Sequence, residues 1–194
     1  KSYSVEIPKN QTKILTYFIN SKKGEYNDLR MWIEGSFAGG SGTSSDPYQI
    51  SNCSNLQEIE SNVLASYELI NDINCSNTTN WNYNCTGYEN YCGFEPIGNS
   101  DNKFQGTLNG DGYWIKDLYQ NYANASVEDW RNGMFNTIDS SGVVKNINLV
   151  NFDVNGDGAG STSAVMSKTG ALAGVNDGKI SQLGVNGSVY GGYW

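Results

Sequence analysis

The second half of this sequence repeats itself at an interval of about 36 residues, and a unit that short cannot enclose a core alone, so it must stack on its neighbours. Gly133-Met134-Phe135 followed by Ile138 recurs as Gly170-Ala171-Leu172 followed by Val175. Gly142-Val143-Val144 with Ile147 and Leu149 recurs as Gly178-Lys179-Ile180 with Leu183 and Val185. In each unit, apolar residues at close spacing alternate with Gly, Asn or Asp corners. This pattern predicts short parallel strands laid coil upon coil. It places Leu149, Leu172, Ile180, Leu183 and Val185 in the core and turns Asn155, Asp157 and Asp177 to solvent. No Asn-Gly hairpin joins two long alternating strands, which argues against an antiparallel sandwich.

Composition agrees with a chain of many tight polar turns. Glycine is frequent at 23 residues and proline rare at 3, while charged residues make up only 16%. Asparagine is abundant too, and it tolerates the left-handed backbone that tight corners require. Acidic residues outnumber basic ones, 20 to 12, for a net charge of −8. With no basic cluster beyond Lys22-Lys23, the chain lacks the stripe that binds nucleic acid. No apolar run approaches the roughly 18 residues of a membrane span. The sequence begins at Lys1 without a Met, which fits removal of an upstream segment.

The chain reads as two parts. Residues 1–35 hold three strand-like runs, Ser4–Ile7, Lys13–Ile19 and Leu29–Ile33. Three strands cannot bury both faces, so this part is a sandwich remnant, a cap, or a strand set that pairs with another copy. Residues 36–194 form the second part, entered through a Gly/Ser-rich connector. Tyr48–Ser51 is a predicted strand. Ser54 with Gln57 reads as a capping box, and Leu56, Ile59, Val63 and Leu64 predict one short helix over 55–64. Residues 76–93 read as a polar, aromatic, cysteine-bearing loop insertion.

Cys53, Cys75, Cys85 and Cys92 are the only cysteines. With no His and no Cys-x-x-Cys pair, a zinc site fits poorly, whereas two disulfides in an oxidising compartment fit well. Three pairings are open; short loops favour Cys53–Cys75 and Cys85–Cys92. Seven Asn-x-Ser/Thr sequons, at Asn10, Asn52, Asn74, Asn77, Asn84, Asn124 and Asn186, are candidate glycosylation sites. Composition alone explains much of that number, and a disulfide competes with glycan transfer where Cys is the middle residue. Both features point outside the cell.

Asp153-Val154-Asn155-Gly156-Asp157-Gly158 copies the first half of a calcium loop, with Asp153, Asn155 and Asp157 as oxygen ligands. Ala164 occupies the position where the loop needs its bidentate acid, so the string also reads as a plain turn. Trp81, Tyr83, Tyr88 and Tyr91 crowd the cysteine loop, as a platform for sugar rings or as a cap over an open end. The absence of His removes the usual acid–base and triad chemistry. Asp111, Asp117, Asp139, Asp153 and Asp157 fall at predicted corners, Asp111 and Asp157 beside Gly, scattered where a glycan-cleaving site would need two facing acids.

The order of pieces along 37–194 resembles the GLUG-motif repeat proteins of bacterial and archaeal surfaces. The likeness runs from Phe37–Thr43 and Asp46–Ile50 through Asn71-Asp72-Ile73, Phe94–Gly98 and Phe104–Gly112 to Gly170–Gly174, Ile180, Val185, Gly187 and Val189. Asn136 stands where the pattern has a second Gly, and the cysteine loop is extra. The resemblance implies an all-β fold, a right-handed parallel β-helix, on an extracellular surface protein, and it brings no catalytic residues. The expectation is a structural or adhesive non-enzyme, with polymerisation through exposed strand edges and surface glycans as candidate partners. A carbohydrate-binding adhesin module and a β-helix polysaccharide enzyme are the alternatives.

Overall fold

The computed structural model describes residues 37–84, 90–122, 131–156 and 168–191. By internal contacts the chain divides into Lys1–Glu34 and Gly35–Trp194. The three strand-like runs expected in residues 1–35 lie outside the described residues.

The second unit is strand-rich. In order it contains β1 (Tyr48–Ile50), α1 (Cys53–Glu58), β2 (Ser66–Leu69), β3 (Ile73–Asn74), β4 (Thr107–Asn109), β5 (Trp114–Lys116) and β6 (Tyr119–Asn121). Then follow β7 (Arg131–Asn132), β8 (Phe135–Ile138), β9 (Val143–Gly156), β10 (Lys168–Thr169), β11 (Ala173–Asn176) and β12 (Lys179–Gly191). Every pairing between these strands is parallel. Antiparallel contacts among the described residues are isolated single bridges, such as Tyr83 with Tyr91 within a loop and Gly93 with Gln120 of β6.

Register turns the sequence repeat into columns of side chains. Tyr48, Tyr67, Leu108, Val144 and Ile180 are successive partners across five strands. Ile73, Ile115, Leu149 and Val185 form a second column, and Ile97, Phe135 and Ala173 a third. Tyr67, Leu108, Val144, Ile73, Ile115, Leu149, Ile97 and Phe135 are buried. Side chains alternate across a strand, so each buried position is flanked by outward ones. Among the buried polar side chains, Gln120 is fully enclosed, donates to the carbonyls of Phe94 and Gly133 at 3.0 and 3.1 Å, and accepts from Gly133 N–H at 2.7 Å. With both ends of its amide satisfied, its burial costs little.

The long strands β9 and β12 are bent, and Asn, Asp and Gln make the bends. Asn146 and Gln182, which stack in register, have φ of 54° and 53°; Asp117 and Asn151 have 60° and 54°. This left-handed region is costly for most residues, and Asn and Asp tolerate it best. The corner side chains also tie one repeat to the next. Asn146 Nδ2 donates to Asn109 Oδ1 at 2.9 Å, and Asn151 Nδ2 to Asp117 Oδ1 at 3.2 Å. At Gly110 a Cβ would sit 2.3 Å from the Asn146 carbonyl oxygen, so only glycine permits that approach.

The two ends differ. At β1 the rings of Phe37, Tyr48 and Tyr67 pack together, Phe37 on Tyr48 at 4.5 Å, with α1 alongside. The helix is shorter than expected: α1 ends at Glu58, a 3₁₀ turn covers Ile59–Asn62, and Leu64 is 65% exposed. Asn62 stops it, its carbonyl accepting from Ala65 N–H and, at 2.6 Å, from the Tyr67 hydroxyl. Nor does Ser54 cap it. Asn52 does, its side chain accepting from Asn55 N–H at 2.9 Å. At the far end, Leu172 is buried and Ile180 and Leu183 are half-buried against the core. Val185 departs from expectation at 50% exposure, because β12 pairs with β9 on one side and with no described strand on the other. Asp177 is exposed and Asn155 half-buried; Asp157 lies outside the described residues.

This asymmetry gives a direct test within one column. Leu149→Ala should cost about 2–5 kcal/mol in a urea melt, because it empties a closed site. Val185→Ala, one repeat further along, should cost less than about 1 kcal/mol. Equal losses would mean that Val185 is as enclosed as Leu149.

Candidate functional site

The surface richest in distinctive side chains is the cysteine loop. Cys53 opens α1 and is disulfide-bonded to Cys75, with 5.2 Å between their Cα atoms. From Cys75 the chain makes a 3₁₀ turn, Ser76–Asn80. Thr78 is buried there; its hydroxyl donates to the Cys75 carbonyl at 2.7 Å and accepts from Tyr119 N–H at 2.9 Å. The loop is thereby fastened to β6. Beyond it the chain doubles back: Cys92 N–H donates to the Asn82 carbonyl at 3.0 Å, and Asn84 N–H to that of Asn90 at 2.7 Å. Cys92 is buried and disulfide-bonded, while Cys85 lies outside the described residues.

This doubling sorts the aromatic residues. Trp81 is half-buried and packs on the core. Tyr83 and Tyr91 project outward, 52% and 42% exposed, with ring centroids 5.0 Å apart. Tyr88 lies outside the described residues. Of the four, one therefore serves packing and two form an exposed pair.

The remaining sequence-derived candidates are dispersed. Asn52, Asn74, Asn77, Asn84 and Asn186 are exposed, whereas Asn10 and Asn124 lie outside the described residues. Asn52 is occupied as the helix cap, and Cys53 beside it is held in its disulfide. Asp153 and Asn155 sit on one face of β9, in an extended run that ends at Gly156. The described part of that string is strand instead of the corner read from its Gly and Asp residues. The third candidate calcium ligand, Asp157, lies outside the described residues.

Sequence reading missed a carboxylate group at the helical end. Gln57 clamps the backbone of Glu95, donating to its carbonyl and accepting from its N–H, both at 2.9 Å. That brings Glu95 near Glu60 and Glu58. Glu60 is an exposed residue, yet burial of its carboxyl, then the charge of Glu95, then that of Glu58, pushes it up to about 7. Burial, with Glu95 and Glu60 behind it, likewise raises the phenol of Tyr122. Glu95 is 38 positions from Gln57, so no local pattern announces the meeting.

Similarity to known proteins extends over most of this chain but only a small part of each relative. Over 157 residues it is 34% identical to a segment of halomucin from Haloquadratum walsbyi, covering 78% of this chain and 2% of that protein. Over 153 residues it is 31% identical to a Gly-rich membrane protein of Evansella cellulosilytica, covering 77% of this chain and 15% of that one. No protein-family model matches the chain. No solved structure matches it.

The carboxylate group predicts a pH dependence. An acid whose pKa is raised in the fold holds its proton there after the unfolded chain has lost it. Stability from this group therefore falls as pH rises from 4.5 toward 7. Solvent reaches Glu60, so the effect is modest. The urea midpoint should drop between about pH 5 and about pH 8, and Glu60→Gln should flatten part of that drop. An identical pH profile in the variant would show that Glu60 titrates as in the open chain.

Proposed function

We propose that this chain is a structural and adhesive module of an extracellular surface protein, built as a right-handed parallel β-helix that extends by adding coils end to end. The observation that carries the reading is the parallel pairing that runs from β1 through β2, β4 and β9 to β12, which finishes on an edge with no described partner. Val185, Val189 and Tyr190 stand 50%, 43% and 59% exposed along it. A strand edge with apolar side chains is a template for another strand, and a head-to-tail contact of this kind propagates instead of closing. The GLUG-motif resemblance, the disulfide Cys53–Cys75 and the similarity to halomucin and a Gly-rich membrane protein support an extracellular surface setting. In this reading the chain performs no catalysis, and its adhesive surface is the Tyr83–Tyr91 pair on the cysteine loop.

Sedimentation and electron microscopy of the chain at high concentration test the assembly. Oligomers or filaments are expected, and Val189→Lys, which places a charge on the edge, should return the chain to monomers with its strand spectrum intact. A wild-type chain that stays monomeric throughout would refute end-to-end addition.

A further inference from the structure

We propose that the outer face around Trp114 is a binding site for a neutral saccharide, taking one pyranose ring against the indole. Trp114 lies on β5 beside buried Ile115, so alternation turns it outward, and it is 50% exposed. In register it is followed by Asn148 on β9 and Gly184 on β12; the adjacent outward column runs Lys116, Val150, Asn186. Trp114, Asn148, Val150, Asn151, Gly184 and Asn186, with Leu149 and Val185 of the inward column between them, line an open cleft of about 310 Å³.

The cleft exists because Gly184 has no side chain. A Cβ there would meet Asn148 Oδ1 at 2.6 Å, whereas glycine leaves that oxygen accessible. Two strand spacings separate Trp114 from Gly184, about 10 Å, which is room for one sugar ring laid over Asn148. The polar groups are held in place. Asn148 Nδ2 donates to the Gly112 carbonyl at 3.0 Å, Asn151 Nδ2 to Asp117 Oδ1 at 3.2 Å, and the Trp114 backbone N–H to Asp72 Oδ1 at 2.9 Å.

Chemistry selects the ligand. A broad aromatic face accepts the C–H face of a sugar ring, and fixed amides exchange hydrogen bonds with its hydroxyls. No lining residue is charged. Asp72 accepts from the Trp114 backbone N–H, and Lys116 lies two residues along the same strand, outside the lining. A charged sugar therefore finds no counter-ion among the lining residues. A nucleobase would also stack, but a chain of net charge −8 repels the phosphates attached to it. This site is separate from the tyrosine pair of the cysteine loop and does not depend on end-to-end assembly.

The full chain should be applied to an array of neutral and acidic oligosaccharides, and the strongest neutral hit titrated against wild type and variants. Trp114→Ala should weaken binding about tenfold or more with an unchanged circular dichroism spectrum. Gly184→Ala, which pushes the Asn148 amide across the cleft, should also weaken it. Leu64→Ala, at an exposed position by the helical end, should leave it unchanged. Three results would overturn the proposal: no neutral glycan retained by the wild type, binding lost in Tyr83→Ala but kept in Trp114→Ala, or Trp114→Ala abolishing self-association while leaving sugar binding intact. The last would make the cleft an interface between copies.

Discussion

The structure depends on one constraint: each repeat must lie on the previous one in parallel register, with its corners directly over the corners below. Main-chain hydrogen bonds between repeats and inward apolar columns both require this alignment. A one-residue slip would turn every buried side chain to the opposite face. The corners set the register. Asn146 over Gln182 and Asp117 over Asn151 hold the left-handed backbone that turns each strand, and the Asn146–Asn109 and Asn151–Asp117 hydrogen bonds lock successive repeats together. The high Asn and Gly content thus follows from the geometry of stacking.

The two ends of the stack divide its work. At β1 the aromatic cluster, α1 and the Cys53–Cys75 disulfide cover the column ends with bulky groups and satisfied backbone. At β12 the same columns surface as half-exposed or exposed side chains beside an edge that no described strand pairs. Along the sides, repetition puts different residues at equivalent outward positions. A Trp, an Asn and a Gly in one register line, Trp114, Asn148 and Gly184, make a cleft that no single repeat contains. A regular scaffold can in this way acquire irregular surface chemistry.

Part of the parallel stacking was legible where the sequence interval equals the register. The match of Phe135 with Leu172 and of Ile138 with Val175 fails, because the structure pairs Phe135 with Ala173 and Ile138 with Asn176, one residue further on. Gly142-Val143-Val144 was matched with Gly178-Lys179-Ile180, and the structure pairs Val143 with Lys179 and Val144 with Ile180. Composition likewise identified Asn as a corner residue. Local misreadings arose where a tertiary partner overrides a local signal. Ser54 fits a capping box, but Asn52 takes the cap and Asn62 ends the helix through Tyr67. Val185 has the apolar character and spacing of Leu149, and only the lack of a described strand beyond β12 exposes it. The Glu58–Glu60–Glu95 group and the Trp114 cleft were invisible because they join residues from different repeats, and their pairings follow only once the register is known.

In-register disulfide trapping tests the stack most directly. Outward residues paired across neighbouring repeats, Thr107 with Val143 and Val143 with Lys179, should lie about 5 Å apart, within disulfide reach, whereas Thr107 and Lys145 are offset by two residues and lie out of reach. Under mild oxidation, Thr107→Cys with Val143→Cys, and Val143→Cys with Lys179→Cys, should cross-link within the monomer, and Thr107→Cys with Lys145→Cys should not. Cross-linking of the offset pair with failure of both in-register pairs would contradict the stacked parallel register on which the account rests.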